Sequence, residues 1–282
     1  MANSLTLEAS AKINIFLDIL GLLSDGCHSL FMLMQTISIS DTITLHAIES
    51  GISLTCSNPA LPTGRRNIAY RAAELFLAEA DIVDGVAIHI EKRIPFEAGL
   101  GGGSADAAAV LRGLSQLYGG LSKEKLAELA LQLGADVPYC LMGGTAIAMN
   151  RGEVLAPLPP LPQRHCVIIK PACGVSTAAA YKAYDTLEVR RHLDIVTLTA
   201  AAANADWEQM CTCAANVLEQ CVEVPNRAQY KAIMRKYGAE LAQMTGSGSA
   251  VFGIFSNEEQ AQKTAATLKK MDAAAEVFVC TT

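Results

Sequence analysis

Pro95-Phe96-Glu97-Ala98-Gly99-Leu100-Gly101-Gly102-Gly103-Ser104-Ala105 is the stretch on which the reading of this chain turns. Gly99 and Gly101 to Gly103 put four glycines within five positions. Without a Cβ, glycine reaches positive φ and lets the main chain approach a ligand closely. Downstream, Ala107, Val110, Leu111, Leu114 and Leu117 recur at helical spacing, which predicts a helix from about Ala105 to Leu117. The amino end of a helix offers unpaired N–H groups and the positive end of its dipole. A glycine-rich turn feeding such an end is an anion cradle, best suited to a polyphosphate. Ser104 stands at the expected helix start, in position to cap it. The plainer alternative is a tight turn that merely needs glycine, but three successive glycines are costly unless backbone access is used. No Gly-Lys-Ser/Thr follows, so the stretch is not a P-loop; counted from Gly99, the dinucleotide fingerprint needs glycine at 104, where serine stands.

Working outward, Val86–Glu91 reads as the strand that enters the loop, with Val86, Ile88 and Ile90 on one side. Before it, Asn67 is placed to cap a helix running to about Ala80. Ala11–Ile19, Thr42–Ala47 and Ile52–Thr55 read as strands, and the first puts Lys12 and Asn14 together on the polar face of a period-two pattern. After the loop helix, Ser122 opens a second helix that Gly134 ends. Thr145–Met149 is strand-like. Ala156–Gln163 carries four prolines and is the best domain linker in the chain, giving domains 1–158 and 159–282. Beyond it, Cys166–Lys170, Val251–Phe255 and Glu276–Cys280 read as strands. Helices are expected within Thr177–Leu187, Asp206–Gln220, Asn226–Tyr237 and Asn257–Met271. The sum is two α+β domains.

The chain has 282 residues, 51% of them hydrophobic, and a formal net charge of −6. That is core enough for one or two domains, and an acidic balance without a Lys/Arg block argues against nucleic-acid or membrane binding. The start, MANSLTLEAS, lacks the basic-then-apolar pattern of a signal peptide, and no apolar run is long enough to span a membrane. Nine cysteines without a CxxC fit reduced, mostly buried thiols of a cytoplasmic protein. No protein partner is implied.

Three further features carry chemistry. Thr245-Gly246-Ser247-Gly248-Ser249 is a second glycine-rich segment that leads into a strand, either a flexible loop or a second wall of the phosphate site. Lys12 and Asp136 would suit phosphoryl transfer: a carboxylate to orient or deprotonate an acceptor hydroxyl, an ammonium to stabilise developing charge. Taken singly, each has a bland reading, a solvated strand lysine and a turn aspartate. His28, at the end of the turn Asp25-Gly26-Cys27-His28, is either a polar-substrate contact or a structural histidine.

Together these segments resemble the GHMP kinases. The residues that carry the resemblance are Ala11-Lys-Ile-Asn14, Asp25-Gly-Cys-His28, the loop from Ile94 to Ala108, Leu133-Gly-Ala-Asp-Val-Pro138, Gly152-Glu153, Val175-Ser-Thr177 and Thr245 to Ser249. They follow the family's order over nearly the whole chain. The Lys-Ile-Asn and Gly-Ala-Asp-Val-Pro segments narrow it to the branch acting on a cytidine-diphosphate-linked erythritol of the non-mevalonate isoprenoid pathway. The resemblance implies a ribosomal-S5-like N-terminal domain and a ferredoxin-like C-terminal domain. It implies ATP with Mg²⁺ as the phosphoryl source, ATP lying along Pro95–Ala105, and transfer to the erythritol 2-hydroxyl. Lys12 and Asp136 match the family's catalytic pair, and Asn14 and His28 match substrate contacts. Thr177 and Tyr181 match the C-terminal part of the cytidine pocket; Cys27, Gly246 and Ser247 complete the expected substrate site. No ligand set for the metal is legible. Two departures stand out. Cys27 occupies the place of a tyrosine that usually stacks on the cytosine, which shifts base contact towards Tyr181 or Phe31. Leu22 and Leu23 stand near where a basic pair is often found. The rival readings are a kinase of the same superfamily acting on homoserine, mevalonate or a sugar, a nucleotide-binding regulator without catalysis, and a dinucleotide-dependent oxidoreductase.

Overall fold

The structure, a computed structural model, describes residues 4–282; the first three residues of the N-terminal segment lie outside it. The chain packs as two compact units. One comprises 4–11, Ile39–Ile94 and Gly101–Gly143; the other comprises Lys12–Ser38, Pro95–Leu100 and Gly144–Thr282. The proline-rich segment does not mark this division, because 157–163 lies inside the second unit.

Two long strands, β1 (Ser4–Leu22) and β2 (His28–Ile48), pair around the turn that contains Cys27, and each is shared between the units. In the first unit, the far half of β2 pairs antiparallel with β4 (Gly85–Glu91), from Thr42 opposite Glu91 to Ile48 opposite Gly85. On its other side β4 runs parallel to β3 (Ile52–Cys56). A parallel pair needs a crossover, and α1 (Ile68–Glu79) supplies it. Asn67 caps α1 as expected, its side chain accepting from the Ala69 amide. Three more helices complete this unit: α2 (Gly102–Tyr118), α3 (Lys123–Leu133) and α4 (Val137–Met142). Ser122 caps α3, and Gly134 ends it.

In the second unit, the near half of β2 pairs antiparallel with β5 (Thr145–Asn150), and β5 with β6 (Val154–Pro157). A separate four-stranded antiparallel sheet has the order β10-β7-β9-β8. Its strands are β7 (His165–Lys170), β8 (Leu241–Met244), β9 (Val251–Phe255) and β10 (Glu276–Thr281). Numbered by their order in this sheet the strands run 4-1-3-2, the arrangement of a ferredoxin-like βαββαβ unit. Its helices, α8 (Arg227–Lys236) and α9 (Glu258–Met271), cover one face through Tyr230, Met234, Ala261 and Leu268 against Val167, Ile169, Val251 and Phe255. Between β7 and β8 the chain adds α5 (Thr177–Asp185), α6 (Ile195–Ala203), α7 (Trp207–Cys213) and a 3₁₀ turn at Val217–Gln220.

Several expectations need correcting. α2 starts at Gly102, three residues before the expected start, so two glycines and Ser104 form its first turn. The strand around Lys12 is buried on both faces: Lys12 is 4% exposed and Asn14 0%, so this is no solvated face. Only Cys140, Cys166 and Cys280 are buried; Cys27 is exposed and the other five free thiols are half-buried. Among the described residues no helix is long and apolar enough to cross a membrane.

Candidate active site

In the second unit, the segment Pro95–Leu100 lies along Thr245–Ala250. The Ala250 amide donates to the Ala98 carbonyl at 3.1 Å, and the Ser249 amide to that of Glu97 at 3.4 Å. Gly99 has φ +75°, and a Cβ there would overlap the Thr245 carbonyl oxygen. Gly246 has φ +54°, and its Cβ would come within 3.0 Å of the Gly99 carbonyl oxygen. These two glycines are thus needed so that one loop can touch the other, main chain to main chain. The second glycine segment braces the first, main chain against main chain.

Lys12 and Asn14 stand beside this contact. The Lys12 amide donates to the Leu100 carbonyl at 3.0 Å, which ties β1 to the glycine segment. The Lys12 ammonium donates to Asn14 Oδ1 at 2.7 Å. The Asn14 amide donates to Thr245 Oγ1 at 3.0 Å, and the hydroxyl of Thr245 reaches the Gly99 carbonyl at 3.3 Å. Beneath them Gln243 Nε2 donates to the carbonyls of Asn14 and Ile15, at 2.9 and 2.8 Å. Asn216 Nδ2 donates to the carbonyls of Met244 and Gly246, at 2.9 and 2.8 Å. Neither Gln243 nor Asn216 carries a signal in the sequence beyond being polar in apolar surroundings. Asn216→Ala strips two buried carbonyls of their donor, and a loss of about 1–3 kcal/mol is expected in urea denaturation.

The expected substrate contacts also gather in this unit. Thr177 Oγ1 and Ser247 Oγ are 3.2 Å apart. The rings of His28 and Tyr181 stack, with centroids 4.7 Å apart and planes at 25°. His28 Nε2 lies 2.8 Å from Asp185 Oδ1, so Asp185, unremarked in the sequence, orients this imidazole. Cys27 is exposed in the neighbouring turn, where Asp25 Oδ1 accepts from its amide at 2.9 Å. Phe31 is 8% exposed and packs edge-on against Phe16, at 6.1 Å and 86°.

The remaining loop residues belong to the first unit. Gly101 takes the N-cap of α2 at φ +70° and ψ +20°, a left-handed conformation that favours glycine. With glycine at the cap and at the first two helical positions, no side chain screens the free amides of the first turn. A Cβ on Gly102 would press on Ile94 Cγ2 at 3.0 Å, and one on Gly103 would touch Ile68 Cδ1 at 3.6 Å. Asp136 is the N-cap residue of α4, at φ −83° and ψ −13°, where Pro138 stiffens the first turn. Lys12 belongs to the second unit and Asp136 to the first.

A buried ionic cluster, which the sequence reading passed over, underlies the start of α2. Lys92 Nζ donates to Asp41 and, at 2.8 Å, to Asp106 Oδ2. Asp41 Oδ1 accepts from the amides of Arg93 and Ile94, at 2.6 and 2.8 Å. Burial pushes the Asp106 carboxyl up to about 8; Lys92 opposes this rise and Asp41 adds to it. Burial works to lower Lys92, but the two carboxylates more than offset it and leave its value raised. The available signal was an aspartate inside the otherwise apolar run Ala105–Leu111.

Comparison with known proteins bears on the same residues. Residues 67–144 match the family model described as GHMP kinases N terminal domain, and 199–274 match GHMP kinases C terminal. A 4-diphosphocytidyl-2-C-methyl-D-erythritol kinase of Clostridium tetani is 40% identical over 260 residues, covering 91% of this chain and 92% of its own. One of Caldicellulosiruptor saccharolyticus is 43% identical over 267 residues, covering 93% and 92%. A crystal structure of 4-(cytidine 5'-diphospho)-2C-methyl-D-erythritol kinase matches with TM-score 0.82 and 35% identity over 98% of both chains. The homoserine kinase of Cytophaga hutchinsonii matches with TM-score 0.79 at 21% identity, over 99% of this chain and 95% of that one, a likeness of fold alone.

Proposed function

Since the chain belongs to the GHMP kinases, and within them to the 4-diphosphocytidyl-2-C-methyl-D-erythritol kinases, we propose that it transfers the γ-phosphoryl group of ATP to the 2-hydroxyl of that cytidine-diphosphate-linked polyol. The observation that carries the phosphate half of this reading is the start of α2. A left-handed glycine cap, two further glycines and a helix dipole together suit a polyphosphate. Substrate preference rests on the relatives and on the grouping of Asn14, His28, Thr177, Tyr181, Gly246 and Ser247 in one unit.

In this reading Pro95–Ala105 holds the triphosphate, and 159–282 supplies the larger share of the cytidine contacts. Asp136 accepts or orients the proton of the acceptor hydroxyl. Lys12, held by Asn14, balances the negative charge that grows on the acceptor and transferring groups. The stacked His28–Tyr181 pair grips the cytidine end, with Asp185 fixing the imidazole. Among the described residues no three His, Cys, Asp or Glu side chains group into a metal site. A Mg²⁺ accompanying ATP would offset part of the phosphate charge.

The test is ADP release measured with a panel of acceptors. Turnover with diphosphocytidyl-methylerythritol is expected to exceed that with homoserine or mevalonate by about 10³-fold or more, because buried polar groups matched to one substrate are left unpaired by another. Comparable turnover with homoserine would reassign the chain within its family.

A further inference from the structure

The Asp41–Lys92–Asp106 cluster is built more elaborately than a structural ion pair requires. Its three side chains are nearly buried, at 0%, 9% and 5% exposure. They tie the far half of β2, the segment after β4 and the second turn of α2 to one ammonium. That ammonium lies directly beneath the cradle: a Cβ on Gly102 would come within 3.4 Å of Lys92 Nζ. Asp106 Oδ1 is buried and has no hydrogen-bond partner, although its sister oxygen accepts from Lys92. A buried carboxylate oxygen without a donor is costly, whereas a carboxyl group carrying a proton loses most of that cost.

Charge counting sharpens the point. With both aspartates ionised the cluster carries one net negative charge; with one proton on it the cluster is neutral. A polyphosphate docking on the first turn of α2 is repelled by the first state and not by the second. The groups facing Asp106 are few. Lys92 and Asp41 touch the cluster directly, and Cys56, at the end of β3, feels all three charges while burial raises its thiol. The helices that pack on α2 turn apolar residues inward: Ala69, Ala72 and Phe76 from α1, Leu126 and Leu129 from α3, Val137 from α4.

We propose that Asp106 is a positioning residue for the nucleotide, and that the Asp41–Lys92–Asp106 cluster takes up a proton from solvent when phosphates dock at the first turn of α2. Only bonds to hydrogen change: the proton leaves water or buffer, joins the Asp106 carboxylate, and returns when the nucleotide leaves. Affinity for nucleotide is thereby linked to pH, and the root of the glycine loop is held by a neutral cluster in the loaded state. The sign follows from the direction already given. A carboxyl group raised to about 8 in the free protein is partly ionised near that pH, so uptake is about half a proton there, approaches one proton above it, and fades in more acid solution, where the proton is already bound.

The inference rests on the nucleotide reading of the cradle, and the experiment separates the two. ADP is titrated calorimetrically into the full chain near pH 8, in Tris and in HEPES, whose ionisation heats differ. The buffer dependence of the heat counts protons. The native chain is expected to take up about half a proton per ADP. Asp106→Asn, which keeps the shape and removes the titration, is expected to lose that uptake, while Cys56→Ser is expected to retain it. Equal proton counts in the native chain and Asp106→Asn overturn the inference while leaving the nucleotide reading intact, as does loss of uptake in Cys56→Ser. If ADP does not bind at all, both fall. Should Asp106→Asn fail to fold, the native chain alone decides: its ADP affinity is expected to weaken by up to tenfold per pH unit above 8, and a flat profile refutes the linkage.

Discussion

Asp136→Asn lowers kcat for diphosphocytidyl-methylerythritol by about 10²–10⁴-fold while ADP binds as tightly as before; this is the largest functional effect expected of a single substitution here. Asparagine keeps the size of the residue at the head of α4 and its ability to accept a hydrogen bond, but it cannot take a proton. A fall in kcat with unchanged nucleotide affinity separates a role in chemistry from one in binding. The measurement is steady-state ADP release together with calorimetric ADP affinity. Near-native turnover in Asp136→Asn would remove the residue from catalysis and leave Lys12 as the remaining charged group assigned to the transferring phosphoryl.

Gly99→Ala is the change with the largest expected cost in stability, about 3–5 kcal/mol. Two causes add. The left-handed backbone at φ +75° is strained for any residue with a Cβ, by about 1–2 kcal/mol. The new methyl group must also overlap the Thr245 carbonyl, which is main chain and cannot rotate aside. The two loops must part, breaking the Ala250–Ala98 hydrogen bond. A useful control is Gly64→Ala, where a Cβ meets nothing within 4 Å and the change is expected to stay within about 0.5 kcal/mol. Urea midpoints for the two variants make the comparison. If Gly99→Ala denatures like the control, the loops are not in main-chain contact.

How much of this was legible in the sequence depends on whether a residue's neighbours along the chain are also its neighbours in space. Asn67 and Ser122 cap the helices they were expected to cap, because a cap is a contact over two or three residues. Three strands of the second sheet, β7, β9 and β10, have apolar runs long enough to read, whereas their ferredoxin-like arrangement was implied only by the family resemblance. β8 escaped notice because Leu241–Met244 is four residues, all buried, with no alternation to detect. α4 is six residues and too short for a helical period. α6 hid behind Ile195, Val196 and Thr197, which favour strands, until Asp194 accepts from the Thr197 amide and turns the chain. The first half of β2 is apolar on both sides, so its period is blurred. The start of α2 was misplaced because glycine is a poor helix former; the free amides of that turn have no strong local preference and follow the packing around Ile94 and Ile68. Among the candidate site residues, Lys12, Asn14 and His28 stood out in their own stretches as well as through the resemblance, and Tyr181 through the resemblance alone. Gln243, Asn216, Asp185 and the Lys92 cluster were missed, because each depends on a partner far away in sequence.

The meeting of Gly99 with Gly246 has a mechanical corollary. A joint made of side chains can yield by rotamer changes, so its two halves slide independently. A joint made only of peptide groups has no such slack. Any displacement of Pro95–Leu100 must drag Thr245–Ala250 along with it, and through the Lys12 amide the middle of β1 as well. These three stretches behave as one welded strap, and the freedom to adapt to a ligand is left to what hangs from it.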